Sequence, residues 1–240
     1  MTKIVPLLCK CPKCSVQIKT LGFFSGNTFG AKKYSDTYLD APMGVSPWSD
    51  YAGCSKCEAV FAINEAEKIE KNSEQTPKEW AEKLNLAAGP VPELETIKRM
   101  LLGPENIENL PSRRTLLLWY LWCFNHYSRN KFLLSNEKLS KNLNPGFLRG
   151  LKMIEKEKEK GDYGKYTEEL IEILLKEKDN RESLLLAAEI MREKGDFERA
   201  TEFLRNNFYL REDVDEKFRN MADQIKSAAI ECRSDTFEIK

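Results

Sequence analysis

Apolar and polar residues alternate in short runs over the first sixty or so positions of this chain, and beyond Ile63 they recur at three- and four-residue intervals. SVQIKTLGFF (15–24) alternates loosely and EAVFA (58–62) is a short apolar run, so both predict short strands. NEAEKIEKNSE (64–74) is polar and charged and predicts a helix leading away from those strands. Thr76-Pro77-Lys78-Glu79 is a capping box with proline at the first helical position, and it starts TPKEWAEKLNLAA. The chain then breaks at GPVP and resumes in PELETIKRMLLG, closed by Gly103 and Pro104. Trp80, Leu84, Ile97 and Leu101 are the packing positions of these two helices. Ser112 caps the most apolar helix, Arg113 to about Tyr127.

A second regularity emerges when the sequence is slid against itself. Gly161-Asp162-Tyr163 and Gly195-Asp196-Phe197 lie 34 residues apart, the period of the tetratricopeptide repeat, in which such a turn joins helix A to helix B. Around the second turn, Leu184, Ala187, Ala188 and Met191 supply the large-small-small-large face of a helix A, and Ala200 and Leu204 lie on helix B. Small residues at 188 and 200 let the helices approach closely. A step forward of 34 residues reaches Phe218, Met221, Ala222 and Ile225 with the same size pattern; a step back from the first turn reaches Leu116, Trp119, Tyr120 and Cys123, where the small position is lost. The pattern covers residues 150–230. Ordinary amphipathic helices also place apolar residues at i, i+3 and i+4, but they do not by themselves produce the turn sequence or its spacing.

Composition narrows the function classes. The 240 residues carry 38 basic and 38 acidic side chains, graded from 7 against 4 in residues 1–60, through 13 against 11 in 61–150, to 18 against 23 in 151–240. No segment has the strongly basic footprint of a duplex-DNA binder. The longest apolar run, LLLWYLWCF (116–124), is far below the roughly 20 residues of a membrane span. MTKIVPLLCKC lacks the pattern of a signal peptide, so a cytoplasmic location is expected. Seven cysteines, five of them before residue 60, suit metal ligation in a reducing compartment better than a disulfide framework.

Cys11-Pro12-Lys13-Cys14 and Cys54-Ser55-Lys56-Cys57 are two CxxC pairs, each able to form a turn whose backbone amides face both sulfurs. Four such thiolates can surround one tetrahedral zinc at about 2.3 Å. Together with their flanking strands the pairs resemble a zinc ribbon. Two details depart from the common pattern: Ser15 follows Cys14 where many knuckles carry glycine, and 39 residues separate the pairs. The excess, GNTFGAKKYSDTYLDAPMGVSPWSDYAG, has the composition of an ordered surface loop, expected to be held by Tyr34, Tyr38, Trp48 and Tyr51. A redox role for Cys11 and Cys14 is disfavoured, since no tryptophan precedes them and β-branched Val16 and Ile18 follow. Rubredoxin-like iron uses similar ligands, and spacing does not separate it from zinc. Cys9 sits too close to Cys11 to join the same knuckle and is expected to be a buried or idle thiol. A four-cysteine site closes the coordination sphere, so the expected zinc is structural, and without it the first 60 residues should lose their fold.

CPKC, SDTYLDAP, GCSKC and the two Gly-Asp-aromatic turns resemble uncharacterised bacterial proteins that join an N-terminal zinc ribbon to tetratricopeptide-like helices. That resemblance implies an α fold with a small β ribbon: 1–63 zinc ribbon, 64–111 helical connector, 112–240 repeat domain. Where such repeats clamp a peptide's terminal carboxylate, Lys, Asn and Arg line helix A; here the corresponding positions include Glu182, Leu185, Glu189, Arg192, Arg219 and Asp223, so that clamp is absent. No Walker loop, GxSxG or HExxH motif occurs. The single histidine, His126, ends an apolar helix where a core or capping role is expected. The expected function is therefore a non-enzymatic adaptor for a protein or peptide partner. The alternative is single-stranded nucleic-acid binding through Lys10, Lys13, Lys19, Lys32, Lys33 and Lys56 interleaved with Phe23, Phe24, Phe29, Tyr34 and Trp48.

Overall fold

The computed structural model describes residues 4–23, 31–40, 49–70, 76, 78, 79, 82, 83, 93–103, 110–130, 145–235 and 237–239. It is mostly helical, with small sheets in its N-terminal part. The chain divides into two compact units, Met1–Phe29 with Ala41–Ile154, and Gly30–Asp40 with Glu155–Lys240. Gly30–Asp40, from the middle of the loop between the two CxxC pairs, thus counts with the C-terminal helices, while residues 64–111 count with the CxxC hairpins.

In the first unit β1 (Ile4–Lys10) and β2 (Gln17–Phe23) form an antiparallel hairpin, in register from Ile4 opposite Phe23 to Lys10 opposite Gln17. A shorter hairpin joins β5 (Tyr51–Gly53) to β6 (Val60–Ala62). Segment 64–70 is not helical, as its charge pattern predicts, but turns and adds β7 (Lys68–Ile69) to the free edge of β1, Leu8 facing Ile69 and Cys9 facing Lys68. Lys10 anchors it twice, its amide donating to the Glu67 carbonyl at 2.9 Å and its ammonium meeting the Glu67 carboxylate at 2.6 Å. Pairing a neighbouring strand's open edge outweighs the modest helix preference of Glu, Ala and Lys, a tertiary effect that local propensity does not encode.

Helices complete this unit. The Thr76 box forms: Thr76 N–H donates to Glu79 at 2.6 Å and Glu79 N–H returns a bond to the Thr76 hydroxyl at 3.3 Å. Trp80 and Leu84 lie outside the described residues. α1 (Glu93–Leu101) buries Ile97 and Leu101 and ends at Gly103, whose φ of 71° suits a residue without a Cβ. α2 (Arg113–Arg129) starts where Ser112 accepts from Thr115 N–H at 3.2 Å. Leu116, Leu117, Leu121 and Phe124 are buried along it, and each contributes about 1.5–3 kcal/mol by leaving water. α1 packs on α2 and on both strands of the shorter hairpin. α3 (Pro145–Lys160) follows, and the boundary between the units falls within it.

The second unit holds α4 (Asp162–Lys176), α5 (Arg181–Glu193), α6 (Phe197–Leu204) continued by a π-helical turn (Arg205–Tyr209), and α7 (Glu216–Ile230). Gly161 and Gly195, at φ 75° and 85°, are left-handed, and each separates two helices. α5 is central: it packs on α4, α6 and α7, and α7 also packs on α6. Ala188 on α5 and Ala200 on α6 are wholly buried, so a larger side chain at either position would separate the helices. Leu184, Leu185, Leu204, Phe208, Met221, Ala222 and Ile225 form the surrounding core. To these helices the unit adds a hairpin from the loop, β3 (Lys32–Lys33) and β4 (Leu39–Asp40). Its turn is held by Tyr38 N–H on the Asp36 carboxylate at 3.1 Å, with Asp36 and Tyr38 buried.

Gly150 tests the packing of the first unit. A Cβ placed there would fall on the phenol ring of buried Tyr127. Helix propensity alone would make Gly150→Ala stabilising by about 1 kcal/mol. The clash reverses the sign, and we expect a net loss of about 1–3 kcal/mol in urea denaturation; a midpoint at or above wild type would contradict this packing.

Candidate metal centre

Each CxxC pair occupies the tip of a hairpin, and the two tips share one geometry. In the first, Cys11 N–H donates to the Val16 carbonyl at 2.9 Å and Ser15 N–H donates to the Cys11 carbonyl at 2.9 Å. In the second, Cys54 N–H donates to Ala59 at 2.8 Å and Glu58 N–H to Cys54 at 3.1 Å. The residue after the second cysteine is left-handed in both, Ser15 at φ 57° and Glu58 at φ 62°. The register matches too: Lys10 pairs with Gln17 and Gly53 with Val60, each spanning the same six-residue turn. Cysteine spacing sets this shape, because two sulfurs three residues apart converge only if the chain curls between them and reverses direction afterwards.

The tips bring all four sulfurs to within 4.8 Å of one another. Cys11 Sγ lies 3.6 Å from Cys57 Sγ, and Cys14 Sγ lies 3.7 Å from Cys54 Sγ. A tetrahedron of ligands at about 2.3 Å from a central ion has edges of about 3.8 Å, so the donor set fits a metal site. All seven cysteines are free thiols. Cys11 and Cys54 are buried, while Cys14 and Cys57 are half-buried. Among the described residues no other group of three or more His, Cys, Asp or Glu side chains converges in this way.

The electrostatics are those of thiols that cannot all ionise unaided. Burial raises Cys11, against amide hydrogen bonds from Cys14 and Lys13 that lower it. Cys57 is pushed up to about 12 by burial and by its proximity to the other sulfurs. At Cys54 burial acts upward, but the amides of Cys57 and Lys56 and the neighbouring thiols donate hydrogen bonds that bring it down to about 7. Cys54 is the thiol whose surroundings favour the thiolate most, and a cation among the sulfurs would favour that form in Cys11 and Cys57 against the upward push of burial.

The setting is apolar: Cys9, Ile18, Ala52, Ala59, Phe61, Ile63 and Ala66 form one cluster with the ligand cysteines, and Leu7 and Val16 pack against it. From α1, Arg99 Nη1 donates to the Cys54 carbonyl at 3.1 Å while its Nε meets Glu95 at 3.2 Å. Tyr51, beside the second knuckle, lies 5.9 Å from Trp119 of α2, ring centre to ring centre. Neither tie carries a sequence signal, since Arg99 and Trp119 stand on helices remote from the cysteines in the chain. Cys9 is fully buried, its thiol donating to Ile18 O at 3.7 Å. His126 stands in the last turn of α2, where its carbonyl accepts from the Asn130 side chain at 2.8 Å.

The lysines singled out with the aromatics fall into different settings. Lys13 and Lys56 are exposed on the knuckles, and Lys10 is engaged with Glu67. Lys32 and Lys33 belong to the second unit, where Lys32 pairs with Glu238 at 2.9 Å. Phe24, Phe29 and Trp48, and the side chain of Phe23, lie outside the described residues.

No family model, curated protein or solved structure matches this chain.

The left-handed residues give a local test. An L-residue in that region costs about 1 kcal/mol relative to glycine, so Ser15→Gly and Glu58→Gly should each raise the urea midpoint by the equivalent of about 0.5–1 kcal/mol, and Ser15→Val should lower it. No gain from either glycine would argue against the shared knuckle geometry.

Proposed function

We propose that this chain is a non-enzymatic adaptor: a ribbon cross-linked by structural zinc, joined to a tetratricopeptide-like helical stack that binds an extended segment of a protein partner. Cys11, Cys14, Cys54 and Cys57 would hold the ion. Zinc supplies a cross-link and the charge that keeps four thiolates together, and the four-sulfur set leaves no position for an activated water. In favour of the repeat reading stand the left-handed Gly195-Asp196-Phe197 turn between packed α5 and α6, the buried alanines at 188 and 200, and the packing of α5 on α7.

One observation carries the binding reading. The repeat reading counts position 192 among the ligand-facing positions of a helix A, and Arg192 there grips main chain: its guanidinium donates to the carbonyls of Arg233 and Asp235, the latter at 2.8 Å. The helical stack therefore has the means to hold an extended segment by its backbone. The basic residues offered for nucleic acid are divided between two units.

The metal is checked by native mass spectrometry of the purified chain. One zinc per chain is expected, lost in the Cys14→Ser, Cys57→Ser double variant, and released as pH falls because protons compete for the four thiolates. Chelation should strip hydrogen-exchange protection from the β1 and β2 amides around Cys9 and Ile18. A red iron-loaded protein, or unchanged protection without metal, would overturn the zinc assignment. For the adaptor reading, a displayed library of random eight-residue peptides presented to the full chain and to its Phe237→Ala variant should enrich an extended motif on at least one of them; enrichment on neither overturns it.

A further inference from the structure

The last described residues of the chain are bound as a ligand would be. Phe237–Ile239 lies antiparallel along the edge of β3 not taken by β4, with Tyr34 opposite Glu238. Ser35 N–H donates to the Phe237 carbonyl at 2.8 Å, Ile239 N–H donates to Lys33 at 2.9 Å, and Phe237 N–H donates to the Ser35 hydroxyl at 3.2 Å. This is strand addition, in which main-chain bonds supply affinity and alternate side chains supply selectivity.

Each side chain of the strand meets a distinct partner. Phe237 sits beneath two guanidinium groups, Arg192 at 5.1 Å and Arg233 at 5.7 Å from its ring centre. Glu238 pairs with Lys32 at 2.9 Å. Ile239 packs on the apolar cluster around Leu184 and Phe208. The receiving arginine is built in: Arg192 is fully buried, and Glu189, also fully buried, holds it through two bonds of 2.8 and 2.6 Å. Burial opposes charge on this guanidinium, but the bonds to Glu189 and the nearby Glu193 and Asp235 carboxylates raise its pKa above the usual arginine value. It remains a fixed cation whose spare N–H groups point at carbonyl oxygens, which any extended chain provides.

The strand itself is lightly held. Phe237 and Ile239 are only half-buried, Glu238 is exposed, and residues 230–235 leading to it are all exposed. Its ion pair with Lys32 is of the exposed class that contributes little. Between this segment and α7 lies an open groove of 490 Å³, walled on one side by Phe237 and Glu238 and on the other by Asp223, Gln224, Ser227 and Glu231.

From this we infer that β3 and Arg192 form an acceptor site for an extended peptide reading aromatic-acidic-aliphatic, and that Phe237–Ile239 is its resident occupant, which a partner segment of the same chemistry displaces. The inference rests on the adaptor reading and specifies its ligand. A tethered occupant competes at high effective concentration, so the apparent affinity of a free peptide is reduced by the fraction of time the site is open.

The test uses full-length protein and the fluorescent peptide RSDTFEIK, which copies residues 233–240. Phe237→Ala loosens the occupant and leaves Arg192, Ser35 and Lys33 in the acceptor site, so it should bind the peptide at least tenfold more tightly than wild type, and a peptide with alanine in place of its phenylalanine should bind neither. Equal affinity for both chains, or no binding to a Phe237→Ala chain whose circular dichroism matches wild type, overturns the inference. If that variant does not fold, hydrogen exchange on wild type decides: the Ser35 and Ile239 amides should exchange at least a hundredfold faster than those of Leu185 and Ala188, and exchange at a common rate would make the strand part of the core. Library peptides that bind wild type and Phe237→Ala equally would overturn this inference alone. Peptides that bind neither chain would remove the adaptor reading as well.

Discussion

Four sulfur atoms within 4.8 Å of one another cannot all carry charge unless a cation stands among them, and the whole N-terminal sheet is arranged around that constraint. The pairs stand 39 residues apart in sequence, and bringing them together has an entropic cost that grows with the length of chain between them. The apolar cluster behind the tips offsets part of that cost, since Cys9, Ile18 and Phe61 leave water only when the hairpins come together. Proton loss from the remaining thiols is the part that apolar contact cannot supply. Cys54 and Cys57 show the two extremes: amide and thiol hydrogen bonds bring the first down to about 7, while burial and the other sulfurs push the second up to about 12.

In the second unit a comparable burden falls on Arg192. A guanidinium with no exposed surface is tolerated only when every N–H is matched, because removing the charge from water costs several kcal/mol. Glu189 matches two of them from one turn earlier on the same helix, and carbonyls from beyond α7 match others. The arrangement makes α5 central in two senses: α4, α6 and α7 pack on it, and through Arg192 it also bonds the carbonyls of Arg233 and Asp235 and meets the ring of Phe237. The same charge that demands partners when buried gives the face its capacity to hold a main chain.

These two features differ in the chemistry they offer. A closed four-thiol set is chemistry for holding a fold, since it leaves no coordination position for a substrate. A buried cation bonded to carbonyl oxygens, next to a strand edge that Phe237–Ile239 pairs, is the arrangement on which the proposed recognition rests. The exposed glutamates and lysines of the long helices serve neither purpose, and their surface pairs, such as Arg199 with Glu168 at 3.0 Å, add little stability.

Features encoded by neighbouring residues were legible in the chain itself. Cysteine spacing at 11, 14, 54 and 57 named the residues that meet; Thr76 with Glu79, and Ser112 before an apolar stretch, marked helix starts; and glycines at 161 and 195 marked left-handed breaks, because each of these rests on bonds spanning a few positions. Three features were decided only by tertiary structure. NEAEKIEKNSE carries a helical charge pattern, yet the vacant edge of β1 took Lys68 and Ile69 as a strand. Positions 189 and 192 read as peptide-clamp positions of a helix A, yet both are wholly buried, and Arg192 bonds carbonyls more than forty positions further on. Residues 32–40 read as loop of the ribbon, yet pair with the chain's far end. In each case the deciding partner is an open strand edge or an unmatched charge, and such a vacancy exists only once distant segments have folded, so no local pattern records it.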